Sequence, residues 1–484
     1  MVDYVSSLSI DFSLIYPEIT LLLGASLILL SVFSRQLGAL APGIGVVTLV
    51  LALGFTAAQW GDQKAGFAGM VTCDDFGTMF KGIFTVASFL TLLIAHRYMK
   101  VRGIDKPEFY ALILVSTVGM MVMANSTDLI VMFLGLEIMS IPLYVMAGFN
   151  RRSLESNESA IKYFIMGAFA SAFLLMGIAF IFGAAETTNL RRIAADFSYI
   201  AGHFGVYLYA GIALIVVGFG FKVAAVPFHS WVPDVYQGAP TPVTAFFSVA
   251  PKAAGFAAML RIFVYGMAGA DALTELFWIL AVLTMSVGNI LALRQDNVKR
   301  MLAYSSISHA GYIIIALVVG GSDAVSAAIF YLVAYTLFNL GAFAIVTHLE
   351  CRSGCKSDLP ELSGLAGTNP YLSVALGLFM FALAGFPPTV GFFAKFYLFA
   401  AAVKAGFVSL VVIAVLNSFV SVYYYLRVVK ACFFDSPSAK PLTPIRMVPS
   451  ILIVVIVTAV GTLGLGFFPQ RLLELSQAAI FAFL

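Results

Sequence analysis

Apolar runs of about 20 residues recur from one end of the sequence to the other, and a helix of that length spans the hydrocarbon core of a bilayer. Charged residues make up only 11% of the chain and hydrophobic residues 61%, whereas about a quarter of a soluble chain is charged. The alternative is a large soluble helical protein with an exceptionally apolar core, which the low charge content disfavours. The sequence therefore predicts an all-α polytopic membrane protein.

Polar and charged breaks divide these runs into about fourteen helices. We expect one transmembrane domain over residues 1–484, without a separate soluble domain. The predicted helix limits are 13–34, 38–59, 78–97, 108–124, 127–149, 158–183, 205–226, 242–267, 271–293, 301–320, 324–348, 370–403, 405–430 and 447–468.

Basic and acidic residues are concentrated in alternate loops, and this alternation is an independent test of the number of helices. One alternate set of loops collects basic residues: Arg35, Arg97, Lys100, Arg102, Lys106, Arg151, Arg152, Arg294, Lys299, Arg300, Arg352, Lys356, Arg427, Lys430, Lys440 and Arg446. The other set is mainly acidic: Asp62, Asp74, Asp75, Asp128, Asp271 and Asp323. Cytoplasmic loops carry an excess of Lys and Arg. The first set is therefore predicted to be cytoplasmic, with both termini on the opposite side.

Two of the predicted helices contain prolines that should break them. The seventh runs into GFGFKVAAVPFHSWVPDVYQGAPTP, and the twelfth contains FALAGFPPTVGFFAKFYLF. Proline removes a backbone hydrogen bond, and freed backbone at membrane depth must be satisfied by protein or by a watery cavity. Ordinary proline kinks are the alternative.

The two breaks lie five helices apart, which indicates an internal repeat. Helices four to eight (about 108–267) and nine to thirteen (about 271–430) would form inverted repeats, because five is odd and the second copy then crosses in the opposite direction. The remaining helices, at 13–97 and 447–468, would flank them. Inverted repeats with interrupted helices are typical of ion or substrate sites near the midplane.

Ionisable residues within the predicted helices are the candidate site. They are Glu137, Lys162, Lys222, Lys252, His309 and Lys395, with Lys81 and Arg261 nearer the helix ends. A charge at the centre of a membrane helix costs about 2.5–3.5 kcal/mol and usually marks an ion or proton pathway. Static ion pairs or side chains reaching toward the interface are the alternative, above all for Lys81, Lys162 and Arg261.

The depths of these residues in the membrane predict the order in which a proton passes from one to the next. Glu137, Lys252 and His309 are each about ten residues from a helix end, and the inverted repeat places His309 in the position equivalent to Glu137. Charges 4 Å apart interact by about 4 kcal/mol at an effective dielectric near 20. Separating Glu137 from Lys222 would therefore be enough to drive a proton from Lys222 toward Lys252.

The cysteines and the charge balance exclude other classes of site. Cys73, Cys351, Cys355 and Cys432 are scattered and lack the second pair or histidines of a zinc or iron–sulfur site. The net charge is +3, and no basic stripe of a nucleic-acid-binding module is present. We therefore expect no metal in this chain and no nucleic-acid partner.

The motifs GLEIMSIPLY, FGFKVAAVPFHSWVPDVYQGAPTPV, KRMLAYSSISHAGY and GFPPTVGFFAKF resemble those of the antiporter-like membrane subunits of respiratory complex I, NADH:quinone oxidoreductase. The resemblance covers essentially the whole chain and is strongest to the bacterial N-type branch, since M-type members carry glutamate where this sequence has Lys395. It implies a multi-pass protein of the bacterial inner membrane with periplasmic termini.

The resemblance also implies roles and partners. Glu137 and Lys222 would be the input pair, Lys252 and His309 relays, Lys395 the link to the output side, and Lys162 a modulator. FMN, iron–sulfur clusters and quinone would belong to other membrane and peripheral subunits, among them neighbouring antiporter-like and small membrane subunits, and lipid would surround the chain. A subunit of a cation/proton antiporter or of a membrane-bound hydrogenase, or a stand-alone solute carrier, are the alternatives.

Overall fold

The computed structural model describes residues 11–267, 271–351, 357–436 and 447–480. Its α-helices are α1 (Tyr16–Ser31), α2 (Arg35–Gly38), α3 (Ala41–Ala58), α4 (Asp75–Arg102), α5 (Pro107–Asn125), α6 (Leu129–Ala147), α7 (Leu154–Ala185), α8 (Leu190–Ala195), α9 (Phe197–Val223), α10 (Trp231–Gly238), α11 (Thr241–Met259), α12 (Asp271–Ala292), α13 (Val298–Val319), α14 (Gly321–Glu350), α15 (Leu365–Thr368), α16 (Pro370–Ala384), α17 (Val390–Lys404), α18 (Val408–Phe433), α19 (Pro449–Phe467) and α20 (Pro469–Ala478).

The prediction of an all-α polytopic membrane protein with about fourteen spans is confirmed. Thirteen helical stretches of the described residues are long and apolar enough to cross a membrane, and the broken pair α16–α17 supplies the remaining predicted span. A π-helical segment, Leu260–Gly266, continues α11. The amphipathic α20 and a small hairpin of β1 (Lys64–Gly66) and β2 (Val71–Cys73) were not predicted.

Polar residues begin several of the spans. The Asp74 carboxylate accepts a hydrogen bond from the Gly77 amide at 2.7 Å, at the start of α4. The Asn297 side chain does the same for the Arg300 amide at 3.1 Å, at the start of α13. The first amides of a helix have no partner within it, so these caps fix where each helix begins.

Three helices form the centre of the bundle. The most apolar windows of α11 with its π-helical extension, α13 and α14 are 100%, 94% and 89% buried. The corresponding windows of α3, α7 and α18 are only 33% buried. Polar residues within these buried windows are therefore enclosed by protein.

Two antiparallel helix pairs make matching close contacts through glycine. In the α5–α6 pair, a methyl group added to Gly135 would lie 2.8 Å from the Met123 amide nitrogen. In the α12–α13 pair, one added to Gly288 would lie 2.7 Å from the Ser308 amide nitrogen. The similarity of these pairs agrees with the inverted repeats, whose exact limits stay a prediction.

The loops alternate between two faces of the bundle, as the charges predict. We call the basic face the side with the loops at 103–106, 148–153 and 293–297, and the acidic face the side with those at 126–128 and 186–189. Residues of sequence interest that lie outside the described ranges are Arg352, Cys355, Lys356, Lys440 and Arg446.

Both predicted helix breaks are present and end in the same way. Ala224 and Gly385 follow α9 and α16 in the left-handed conformation, with φ of 65° and 89°. The Ala225 amide then donates to the Gly220 carbonyl at 2.8 Å, and the Phe386 amide to the Phe381 carbonyl at 3.0 Å. This is the hydrogen-bond pattern of a Schellman helix end, so each helix stops cleanly before α10 or α17 begins.

Candidate functional site

Lys252 lies in the buried centre of α11 and bonds to α13. Its Nζ donates to the Ser306 carbonyl oxygen at 2.8 Å and contacts the Ser306 Oγ at 2.5 Å. Within the described part of the chain, no carboxylate lies within 4.0 Å of this amine. A buried lysine solvated only by neutral groups can lose its proton far more easily than one fixed in an ion pair.

Lys395 occupies the break of the twelfth span. Its Nζ donates to the Ala384 carbonyl at the end of α16 and to the Ser418 Oγ on α18, both at 2.8 Å. The amine also lies 5.1 Å from the centre of the Tyr312 ring on α13. Carbonyls at a helix C-terminus carry partial negative charge, so this position stabilises an ammonium group.

His309 lies between these two lysines. Its Nδ1 is 2.6 Å from the Tyr331 hydroxyl and its Nε2 is 3.1 Å from the Tyr425 hydroxyl. Its ring centre is 5.9 Å from that of Tyr312. A neutral imidazole donates from one nitrogen and accepts at the other, so His309 can take up a proton on one side and release it on the other.

One face of α13 connects Lys252, His309 and Lys395. Ser306, His309 and Tyr312 follow each other at intervals of three residues, which places them along one side of a helix. Ser306 contacts Lys252 and Tyr312 faces Lys395. The structure thus brings together three of the predicted site residues through a single polar row.

Amides and tyrosines extend this row toward α12 and α18. The Asn289 Nδ2 donates to the Tyr312 hydroxyl and to the Asn417 Oδ1, both at 3.2 Å. The Tyr424 hydroxyl donates to the Asn289 Oδ1 at 2.9 Å. Sequence analysis missed the tyrosines around His309, because a tyrosine in an apolar run gives no signal that separates a polar network from ordinary packing.

Lys222 lies in an aromatic enclosure at the end of α9. Its Nζ donates to the Tyr144 hydroxyl at 3.3 Å, and it lies 5.2 Å and 5.5 Å from the ring centres of Tyr144 and Tyr163. Trp231, the first residue of α10, stacks on Tyr163 with 4.4 Å between ring centres. Aromatic faces attract an ammonium group without binding its proton.

Glu137 is not in a direct ion pair with Lys222. Its carboxylate accepts a hydrogen bond from Ser171 on α7 at 2.5 Å, and among the described residues no basic side chain lies within 4.0 Å of it. Tyr144, two turns along α6, is instead the direct partner of Lys222. Glu137 is partly exposed, and its hydrogen-bond partner Ser171 does not belong to the row.

Lys162 lies apart from the row, at the basic face. Its Nζ is 2.6 Å from Glu158 and 2.8 Å from Asp234, and Arg300 approaches Asp234 to 2.7 Å. Partial burial acts to raise the pKa of Asp234, but hydrogen bonds from Lys162 and Arg300 outweigh it and hold that pKa below its usual value. This cluster ties α7, α10 and α13 together at the surface.

Lys81 and Arg261 belong to buried ion pairs near the acidic face. Lys81 is 2.8 Å from Glu18 of α1, and Arg261 is 2.6 Å from Asp74. These contacts agree with the static alternative for the two residues. Local sequence gave no indication that Glu18 would be the partner of Lys81, because the pairing depends on which helices are neighbours.

Metal ligands do not cluster in the part of the chain that the structure describes. No group of three or more His, Cys, Asp or Glu side chains there could hold an ion. Cys73, Cys351 and Cys432 are free thiols.

Residues 126–421 match the sequence model of the NADH:quinone oxidoreductase/Mrp antiporter transmembrane family. The chain belongs to this family. A relative within the family, the NADH-quinone oxidoreductase subunit N of Trichlorobacter lovleyi, is 46% identical over 477 residues, which make up 98% of this chain and 97% of the relative.

Solved structures of the same architecture include two respiratory assemblies. A chain of respiratory complex I from Thermus thermophilus is 34% identical, with a TM-score of 0.81 and coverage of 95% of this chain and 98% of that one. A chain of an archaeal membrane-bound sulfane sulfur reductase is 26% identical, with a TM-score of 0.87 and coverage of 97% of both chains. The family fold therefore extends over nearly the whole protein.

Proposed function

We propose that this protein is a proton-translocating membrane subunit of NADH:quinone oxidoreductase and conducts protons along its buried polar row. The observation that carries the proposal is the row of polar side chains that lies along α13 between two buried lysines: Lys252 bonds to Ser306, His309 lies one turn further along the helix, and Tyr312 faces Lys395. A static structure has no need of such a series at membrane depth. The relative named subunit N, similar over its full length, supports the same reaction.

Proton movement along the row needs only O–H and N–H exchange. A proton leaving Lys252 is accepted by the hydroxyl network of α13, while His309 receives it on one nitrogen and releases it from the other. Lys395 then takes it up, held by the Ala384 carbonyl and Ser418. Lys252 returns to its starting form when the next proton arrives, and Lys395 returns to its own when it releases its proton toward the output side.

Glu137 and Lys222 control the row through charge. Tyr144 bonds to Lys222 and lies two turns from Glu137 on α6. Bringing opposite charges from about 8 Å to about 4 Å strengthens their attraction by about 2 kcal/mol at a dielectric near 20, which is more than a tenfold change in protonation. A shift of α6 relative to α9 would therefore decide whether Lys222 keeps its proton.

The energy for this shift comes from elsewhere in the complex. We place FMN, the iron–sulfur clusters and quinone in other subunits, with neighbouring antiporter-like and small membrane subunits against this chain. The protein lies in the bacterial inner membrane, with the basic face in the cytoplasm and both termini in the periplasm. Labelling of single cysteines in the loops at 148–153 and 186–189 with an impermeant reagent tests this orientation.

The function is tested with Lys395→Ala in the whole complex, reconstituted in proteoliposomes with NADH and quinone. We expect proton pumping and coupled quinone reduction to fall at least tenfold, while the complex still assembles. Lys404→Ala is the matched control, because Lys404 lies on the same helix but its side chain is 78% exposed. Normal pumping by the Lys395 variant would overturn the proposed pathway, and pumping that stops when sodium is removed would favour a cation/proton antiporter.

A further inference from the structure

A polar cavity opens at the basic face, between α4, α7, α10, α13 and α14. We call it the vestibule; its volume is about 360 Å³ and its lining includes Tyr98, Arg102, Glu155, Gln237, Lys299 and Glu350. None of these residues belongs to the row described above. The vestibule is therefore a water-accessible recess that lies outside the row.

Two buried ionisable residues form the floor of the vestibule. Glu350 and Lys299 are each only 5% exposed, and their charged atoms lie 3.9 Å apart. Glu350 accepts hydrogen bonds from Thr241 on α11 and from Ser357, the latter at 2.9 Å. Sequence analysis placed Lys299 among the loop residues, but α13 begins one residue earlier and carries it into the protein.

A line of buried polar side chains leads inward from Glu350. Thr241, Thr244, Ser248 and Lys252 are separated by three, four and four residues, so they share one face of α11. All four are 4% exposed or less. At 1.5 Å per residue, the line from Thr241 to Lys252 is about 17 Å long. We call this line the seam.

Polar atoms with free hydrogen-bonding capacity lie along the seam. The Tyr236 hydroxyl, the Tyr335 hydroxyl and the Asn339 Oδ1 are buried and have no hydrogen-bond partner among the described residues. Asn339 donates from its Nδ2 to Ser248 at 2.6 Å, and both tyrosines approach Ser306, the partner of Lys252. A buried polar atom without a partner costs about 1–3 kcal/mol, which favours binding of water between these groups.

Lys222, in contrast, is enclosed by aromatic rings. Trp231 stacks on Tyr163 and lies 5.1 Å from the Phe221 ring, with its Nε1 donating to the Phe221 carbonyl at 3.1 Å. These rings surround Lys222 where α10 leads on to the basic face. A proton that approached Lys222 from the basic face would have to pass these aromatic rings first.

We propose that protons enter from the basic face through the vestibule and the seam, and reach the row at Lys252. This inference rests on the proposed function. Glu350 accepts the proton from water as a carboxylate, next to the positive charge of Lys299, and passes it to the hydroxyls of the seam. Glu137 and Lys222 then drive the proton onward but are not its point of entry.

The first test replaces the carboxylate by an isosteric amide, Glu350→Gln, in the reconstituted complex. Proton transfer by a positioned side chain contributes a hundredfold or more, and vestibule water replaces part of it, so we expect about a tenfold loss of pumping. The loss should grow as the pH rises, because hydronium must then replace the carboxylate as donor. Glu350→Asp should restore most of the rate, and Glu158→Gln, at a surface carboxylate that is 62% exposed, should have no effect.

The second test removes single hydroxyls from the seam and does not depend on the stability of the Glu350 variant. Thr244→Val and Tyr236→Phe should each slow pumping severalfold in an assembled complex. Thr458→Val is the matched control, because Thr458 is equally buried but bonds only within its own helix. Tyr423→Phe, at a residue 61% exposed, is the control for the tyrosine.

The outcomes separate the inference from the function it rests on. If Lys395→Ala stops pumping while Glu350→Gln, Thr244→Val and Tyr236→Phe leave both its rate and its pH profile normal, entry through the seam is wrong and the proposed function stands. If Lys395→Ala also pumps normally, the proposed function itself is wrong. A Glu350→Gln rate that is reduced equally at every pH would make Glu350 a structural residue.

Discussion

Replacing Lys81 by methionine would leave the Glu18 carboxylate buried without its partner. The two side chains are 0% and 4% exposed and their charged atoms are 2.8 Å apart. At an effective dielectric near 20 the attraction lost is about 6 kcal/mol. Measured costs of breaking a buried pair are about 3–5 kcal/mol. The expected cost lies in that range, because relaxation of the structure around Glu18 recovers part of the lost attraction.

The second half of this prediction concerns the double variant Lys81→Met with Glu18→Gln. It removes both charges and should recover stability to within about 1–2 kcal/mol of the original, since buried ion pairs are often nearly neutral relative to uncharged replacements. The hydrogen bonds from Lys81 to the Leu14 carbonyl and to Gln59, both 3.2 Å, are lost in either case.

Thermal dissociation of the purified complex, followed on native gels, measures both variants. A static pair predicts that the single variant dissociates at a clearly lower temperature while pumping per assembled complex is unchanged. The reasoning is refuted if the single variant is as stable as the original, or if the double variant is no more stable than the single one. Loss of pumping in a fully stable complex would instead place Lys81 on the proton pathway.

Three further predictions follow from other parts of the fold. His309→Phe should lower pumping at least tenfold in the proteoliposome assay, since a positioned acid–base group contributes that much. The control is His203→Gln, at an exposed histidine, which should pump normally. Equal pumping rates of the two variants would remove His309 from the row. Gly177→Ala should destabilise the assembled complex by about 1–3 kcal/mol, because the new methyl group would lie 2.7 Å from a carbonyl oxygen of α9. Gly183→Ala on the same helix is the control and should not destabilise it in this way, because its methyl group would meet nothing within 4 Å. Lys162→Ala tests the static alternative for this residue: it should change stability by less than about 1 kcal/mol and leave the pumping rate unchanged, because the side chain is 39% exposed. A large loss of pumping would instead support the predicted role of Lys162 as a modulator.

The membrane architecture was largely predictable because lipid imposes a length and a composition on every span. Breaks in hydropathy located each helix to within several residues, and the prolines identified both interrupted spans. The same reasoning selected Lys252, His309 and Lys395, since a charge in an apolar run is conspicuous.

The arrangement of side chains across helices was not predictable in the same way. Glu18 and Lys81 are far apart in sequence, and their pairing depends on α1 packing against α4. Lys299 was assigned to a loop because it lies at a helix start, where hydropathy falls although the backbone is already inside the protein. The tyrosines that contact His309 resemble ordinary apolar packing residues until the helices are assembled.

The end of α16 supplies Lys395 with a counter-charge that contains no titratable group. The Ala384 carbonyl and the peptide dipoles behind it carry about half an elementary charge. Unlike a carboxylate, they cannot accept the proton that passes. The electrostatic stabilisation of a protonated Lys395 by this helix end is therefore the same in every cycle and at every pH. Most side-chain substitutions would leave this stabilisation unchanged, because it comes from backbone groups. The interrupted helix itself, rather than any one side chain, therefore provides the counter-charge at the end of the pathway.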